Sequence, residues 1–402
     1  MNPSPPRPPS PVAAAIVRNQ QQIFLRLLGE LRPHLRRDPA LPARLHTLLA
    51  RHRSFGARDR RLYRELVFTT LRFLPWIEPC LDTAPEEAVR RVAWLAAETR
   101  DSQAFRAAFA TGEPPAGDRA GLLPGWFREH CPELFSGEEL AAQLRRAPLW
   151  LRLQTDDPQP VLDELDSLGW AWRRAAVLPN AIELRTEADV TKTAAWRSGR
   201  IEVQDLGSQL VLGALDLPRG GHWLDACAGA GGKTLQLASL LGPDAAIDAF
   251  DIRAGALAEL QTRATRAGFA TRIRILTSPA SDLYDGVLVD APCSGSGTWR
   301  RAPHLKWVTT EETIRRAAAQ QQALLAAAAL RVRPGGRLVY ATCSLSPWEN
   351  EHVVSAFLGA NADFVPDVPV HDSVLEPRGA GLLIWPSRRD TDGFFVAPLR
   401  RK

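Results

Sequence analysis

Two cysteines stand where short apolar runs end. Cys293 lies in Asp290-Ala291-Pro292-Cys293-Ser294-Gly295-Ser296-Gly297, and Cys343 in Ala341-Thr342-Cys343-Ser344. The runs before them, Tyr284 to Val289 and Arg337 to Tyr340, read as strands. Junctions of this kind form the carboxyl edge of a parallel sheet, where open α/β sheets hold their ligands. Two thiols at neighbouring strand ends can meet over one substrate, which points to covalent chemistry with a second thiol assisting. A free thiol has a pKa of about 8.5, so the attacking sulfur needs a positive or polar setting.

A second motif supplies a place for a cofactor. Leu224-Asp225-Ala226-Cys227-Ala228-Gly229-Ala230-Gly231-Gly232-Lys233-Thr234 ends one strand and opens a helix. Its glycines permit a tight turn and close approach of a ligand to the backbone. Asp251, at the end of the next strand, is placed to accept bonds from ribose hydroxyls. A dinucleotide needs Gly-x-Gly-x-x-Gly beneath its pyrophosphate. Here Gly229-x-Gly231 is followed by Thr234. That mismatch, with Asp225 beside the loop, favours S-adenosylmethionine, which has no phosphate and carries a sulfonium cation. The Cys227 thiol is expected to pack, as are Cys80 and Cys131, which have no polar motif around them.

The elements that must position these groups follow from the pattern along the 402 residues. Residues 1–12 are proline-rich and read as a disordered tail. Residues 13–144 read as helical: Ile16, Ile23, Phe24, Leu27 and Leu28 recur at helical spacing, as do Leu62, Leu66, Phe68, Leu71 and Leu74. Residues 145–200 read as a small α/β unit, with strands at Leu149 to Gln154, Trp170 to Val177 and Ile182 to Arg185, and a helix at Pro160 to Leu168. Residues 201–402 alternate strand and helix, which predicts a Rossmann-like doubly wound sheet. Its strands are expected at His222 to Ala226, Ala246 to Phe250, Arg272 to Leu276, the two runs before the cysteines, and near Leu382 to Trp385 and Phe394 to Ala397.

Charge and composition narrow the partners. Net charge is +5, and the positive charge is nearly all arginine; the only lysines are Lys192, Lys233, Lys306 and Lys402. The run Arg51 to Arg61 is densely basic, and Arg58, Arg60 and Arg61 at its helix start are expected to meet phosphates of a nucleic acid. No uninterrupted apolar stretch reaches the roughly 18 residues of a membrane span. The start lacks the pattern of a signal peptide. An odd count of five scattered cysteines suits a reducing cytoplasm, not a disulfide framework.

These motifs occur in a fixed order with three others: Val203-Gln204-Asp205-Leu206-Gly207-Ser208-Gln209, Arg300-Arg301 with Leu305-Lys306-Trp307, and Glu349-Asn350-Glu351. Gly393-Phe394-Phe395-Val396-Ala397 follows near the end. Together they resemble the RsmB-type RNA 5-methylcytosine methyltransferases over roughly Ile201 to the last residue. The N-terminal helices are similar to the NusB-like RNA-binding domain of that type, and the middle unit resembles its small RNA-recognition-like module. The resemblance implies that Cys343 is the nucleophile, that Cys293 assists release, and that Asp290 contacts the cytosine edge. It implies S-adenosylmethionine bound by Cys227, Ala228, Gly229, Ala230, Gly231, Gly232 and Lys233, with Asp251 and Asp290. Arg300, Arg301 and Lys306, which follow the Cys293 loop, are expected to contact phosphate. The family's loop usually has Ala-Pro at Gly229-Ala230, and an acidic residue after the third strand meets adenine. Here Leu276-Thr277-Ser278 stands at that strand end, and Ser278 takes the position. The implied substrate is small-subunit ribosomal RNA, with transfer RNA second. A non-catalytic RNA-binding assembly factor and a nicotinamide oxidoreductase are the rival classes. No metal is expected, and a monomer is.

Overall fold

The computed structural model describes residues 11–368 and 375–402. The expected N-terminal tail thus falls mostly outside the described residues. Helix begins at Pro11, two residues before the expected start.

The chain forms two compact units. The first comprises the described residues up to Gly125 together with Ala302–Val308. It is helical, with helices Pro11–Leu31, Leu41–Arg51, Ala57–Arg72 and Pro85–Leu95. Phe24, Leu27, Leu28, Leu62, Leu66 and Leu71 are buried, as their helical spacing predicts, whereas Ile16 is 54% exposed. The expected boundary at residue 144 is corrected to Gly125. Residues 126–144 belong to the second unit because their side chains are tied there: Phe127 packs on Trp299, Glu133 pairs with Arg378, and Glu139 bonds Ser387.

The second unit holds two sheets. The smaller contains β1 (Leu149–Leu153), β2 (Trp172–Arg174), β3 (Ala181–Leu184) and β4 (Ile201–Val203), in the order β2-β3-β1-β4. The expected division at residues 200 and 201 is therefore moved. Ile201–Val203 pairs antiparallel with β1 and completes this small sheet.

The larger sheet carries the site. Its parallel part consists of β5 (Gly221–Asp225), β6 (Ala245–Ala249), β7 (Ile273–Ile275), β8 (Tyr284–Asp290) and β9 (Val332–Thr342). Antiparallel additions are β10 (Phe364–Pro366), β11 (Glu376–Arg378), β12 (Gly381–Ile384) and β13 (Phe394–Arg401). The order β11-β12-β13-β9-β8-β5-β6-β7, with β10 on β13, makes a doubly wound sheet. Val287, Leu288, Val289, Leu338, Val339 and Tyr340 are all 0% exposed, as expected of strands covered on both faces. Gly286 makes room for Trp223: a Cβ there would lie 2.3 Å from the indole. Burying an indole of roughly 200 Å² contributes about 5 kcal/mol before conformational entropy is counted. From β5 the chain winds outward through β6 and β7, then returns to β5's other side at β8. That reversal opens a crevice at the carboxyl ends of β5 and β8.

Candidate functional site

A cleft of about 650 Å³ occupies this crevice. Residues 226–230 of the glycine loop, Lys233, Asp251, Asp290 and Cys293 all line it. Asp225 ends β5 and is 1% exposed beneath the loop. Its carboxylate accepts bonds from Thr234 Oγ1 at 2.7 Å and from the Cys227 N–H at 3.3 Å. Burial pushes this carboxyl up to about 7, and the charge of Asp290 adds to the shift. Thr234, which breaks the dinucleotide pattern, thus anchors the loop to the strand end. Gly231 is left-handed (φ 87°) and sits behind the loop, where a Cβ would lie 2.1 Å from Leu260 Cδ1. Cys227 lines the cleft, but burial first and nearby acids second push its thiol up to about 12. That shift suits a packed thiol.

Asp251 accepts the Gly229 N–H at 2.8 Å and both Nε and Nη2 of Arg253 at 2.9 Å. The Arg253 guanidinium holds its carboxyl below the usual range. Phe250 and Ile252 flank it on the cleft wall, and Ile252 is 83% exposed. The cleft therefore offers a carboxylate for ribose and apolar surface for a flat base. The two carboxylates on its wall, Asp251 and Asp290, are each paired with a cation, Arg253 and Lys233, so the lining offers no unpaired positive cluster for a pyrophosphate. The residues fit S-adenosylmethionine.

The two thiols lie at adjacent strand ends. β8 and β9 pair in parallel, with Asp290 opposite Ala341. Past that register, Ala291 N–H bonds Ala341 O, and Gly297 N–H bonds Cys343 O, both at 2.9 Å. These bonds bring Cys293 Sγ to 3.3 Å from Cys343 Sγ. The Cys293 thiol is pushed up by its bond to Cys343, by burial and by the charges of Cys343 and Glu349. Asp290 Oδ2 receives Lys233 Nζ at 2.9 Å, and that ammonium also lies 5.0 Å from the Phe394 ring centre. Lys233 is buried, so its charge is directed at Asp290 and the cleft.

The structure places four of the expected contact residues as follows. Arg300 is 0% exposed and donates to Asp390, Thr391 O and Arg146 O. Arg301 bridges Asp205 and Asp392 at 2.7 Å each. Lys306 lies in the helical unit at 1% exposure, and its ammonium donates to the carbonyls of Arg72 and Leu122. Burial drives its pKa well down. Arg300 and Lys306 are enclosed by these partners, whereas Arg301 keeps 37% of its side chain exposed beside its two carboxylates. Ser278 is exposed and is not among the residues lining the cleft. In the helical unit, Arg58 and Arg61 are 62% and 57% exposed around a shared Asp101, while Arg60 donates to Phe55 O.

Sequence reasoning missed the apolar wall of Phe250 and Ile252, and also Arg253, Gln320 and Leu324. An exposed isoleucine straight after an acidic strand end is a usable signal for the first pair. Gln320 and Leu324 come from the alanine-rich helix Glu311–Ala329.

Residues 212–400 match the family described as 16S rRNA methyltransferase RsmB/F. The chain is 31% identical over 380 residues to the ribosomal RNA small subunit methyltransferase B of Xanthomonas campestris pv. campestris, covering 91% of this chain and 86% of that protein. It is 32% identical over 259 residues to the probable ribosomal RNA small subunit methyltransferase B of Bacillus subtilis, covering 61% of this chain and 58% of that relative. A solved methyltransferase homologue from Pyrococcus horikoshii superposes with a TM-score of 0.60 at 27% identity, over 69% of this chain and 93% of its own. The thiol pair and the glycine loop thus lie within the matched region, and the chain belongs to the RsmB/F family of RNA methyltransferases.

Proposed function

We propose that this RNA methyltransferase modifies carbon 5 of cytosine in small-subunit ribosomal RNA, by way of a covalent bond from Cys343 to carbon 6. The observation that carries the reading is the 3.3 Å approach of Cys293 and Cys343 beside Asp290. S-adenosylmethionine, the family's methyl donor, supplies an electrophilic methyl group when bound in the cleft. Cytosine carbon 5 is too weak a nucleophile to take it unaided. Addition of the Cys343 thiolate to carbon 6 forms an S–C bond and moves the ring electrons toward carbon 5. Asp290, oriented by Lys233, faces the cytosine edge and stabilises the ring as its electrons shift. Bonded to carbon 6, Cys343 no longer raises the Cys293 thiol, which gives up its proton to solvent. As thiolate, Cys293 takes the proton from carbon 5 once that carbon carries both the methyl group and a proton. The 5,6 double bond re-forms, the S–C bond breaks, and Cys343 leaves as thiolate. A base stacked in a helix cannot receive the sulfur, so the target is single-stranded or flipped out.

The two thiols have separable signatures. Cys343→Ala should abolish methylation and form no adduct. Cys293→Ala should still attack and then stall as a protein–RNA adduct that survives denaturing electrophoresis and needs S-adenosylmethionine to accumulate. An adduct from the Cys343 variant instead would reverse the roles, and full activity in both variants would reject thiol catalysis. Mapping 5-methylcytosine in ribosomal and transfer RNA from a deletion strain identifies the substrate; an unchanged small-subunit map would remove that assignment.

A further inference from the structure

Behind the thiols lies a carboxylate that the proposed mechanism does not use. Glu349 is 0% exposed and sits just before the helix Glu351–Ala360. Its Oε1 accepts the Ser294 N–H at 2.7 Å and Gln321 Nε2 at 3.2 Å. Its Oε2 accepts the hydroxyls of Ser294 and Ser344. A carboxylate has about four lone-pair positions, and here four donors meet it. Among the described residues those donors are all neutral, and no cation pairs with Glu349. Ser294 directly follows Cys293, and Ser344 directly follows Cys343. One buried anion therefore ties together the residues next to both sulfurs. Asn350 continues the attachment on one side: its Oδ1 accepts Thr342 Oγ1 at 2.6 Å, and its Nδ2 donates to Ser344 O at 2.9 Å.

A buried carboxylate without a counter-ion is costly to keep, and an apolar residue would fill the space at less cost. Its donors come from three places far apart in sequence: the Cys293 loop, the Cys343 loop and the helix Glu311–Ala329. Stability of one element does not require that arrangement, whereas fixing two loops against each other does. We propose that Glu349 is a positioning residue that clamps the Cys293 and Cys343 loops, with Asn350 holding the second loop, and so sets the separation of the two thiols. The inference rests on the two-thiol reading above. The charge has a second consequence, since it adds to the bond with Cys343 and to burial in holding the Cys293 thiol protonated at rest.

Phenylarsine oxide tests the separation without any methylation. It bridges two close thiols through arsenic and releases water. The wild-type protein should bind one equivalent with loss of two thiols, and Cys293→Ser should lose this bidentate capture. Glu349→Ala should fold and bind S-adenosylmethionine as the wild type does, since Glu349 does not line the cleft. Its dithiol capture should weaken at least tenfold. Its single-turnover methylation should fall by about 100-fold, the usual consequence of misplacing a reacting group by about 1 Å, with RNA affinity unchanged. Glu349→Gln keeps the shape and an acceptor for the Ser294 N–H, and should recover most of the capture. If Glu349→Ala does not fold, Ser294→Ala with Ser344→Ala removes two of the four donors and should weaken capture to a lesser degree. A folded variant of either kind with wild-type capture and wild-type rate overturns the clamp. Capture that depends on Glu349, in a protein that leaves cytosine unmethylated, would reject the proposed reaction and uphold the clamp.

Discussion

At the scale of single residues, Asp251 and Arg253 divide one site between them. The Asp251 carboxylate holds the loop through Gly229 and is itself held by Arg253. Hydrogen bonds to charged groups contribute about 1.5–3 kcal/mol each, so losing the carboxylate should weaken S-adenosylmethionine binding by roughly ten- to a hundredfold. Asp251→Ala should show this in calorimetry with RNA binding nearly unchanged. Arg253→Ala leaves the carboxylate and its bond to Gly229 in place. It should bind the cofactor at least as well as the wild type, because the ribose no longer competes with a guanidinium. Equal cofactor affinity in all three proteins would remove Asp251 from the site.

At the scale of elements, the turn from β5 into the helix Gly232–Leu241 depends on Gly231. Its left-handed backbone costs a non-glycine residue about 1–2 kcal/mol. The contact that a Cβ would make with Leu260 adds to that cost and pushes the loop forward into the cleft. Gly231→Ala should therefore lower cofactor affinity more than its effect on thermal stability suggests. Isothermal titration beside a melting curve separates the two, and unaltered affinity would show that the loop accommodates the methyl group. The same logic of close approach places Gly297. A Cβ there would lie 2.1 Å from Gly393 O and 2.9 Å from Cys343 O, so the Cys293 loop lies against both the Cys343 loop and the chain entering β13.

At the scale of the whole molecule, basic residues serve two ends that composition cannot separate. Arg300, Arg301 and Lys306 are committed to internal carboxylates and carbonyls. Arg58 and Arg61 both approach Asp101 and remain more than half exposed at the surface of the helical unit. Neutralising Arg58 and Arg61 should weaken RNA binding. It should flatten the dependence of log K on log salt by roughly 0.7 per contact for single-stranded RNA. Arg60→Gln should change the slope less, because that side chain already donates to Phe55 O. An unchanged slope in the Arg58 and Arg61 variant would leave these arginines as a solvated helix end.

Except for the short strands β4, β10 and β11, the sequence by itself determined the alternation of strand and helix around the site, the loop at the end of β5, and the two cysteines at the end of β8 and β9. These are local signals: apolar runs cover strands buried on both faces, and glycines mark a turn that no other residue makes easily. Element ends were less legible. β9 begins at Val332 and runs through Pro334, Gly335 and Gly336, residues that read as a break. Only the tertiary structure decided what each polar side chain does. Lys306 and Arg300 look like surface cations in the sequence, and become internal donors because acceptors from distant segments close over them. Glu349 stands out in the sequence only as part of the Glu349-Asn350-Glu351 motif, with nothing to state its partners, yet it bonds Ser294 across 55 positions of chain. A charged residue type states which bonds it can make, but partner and burial depend on segments that meet only when the chain is folded, and so the thiol pair was readable while its clamp was not.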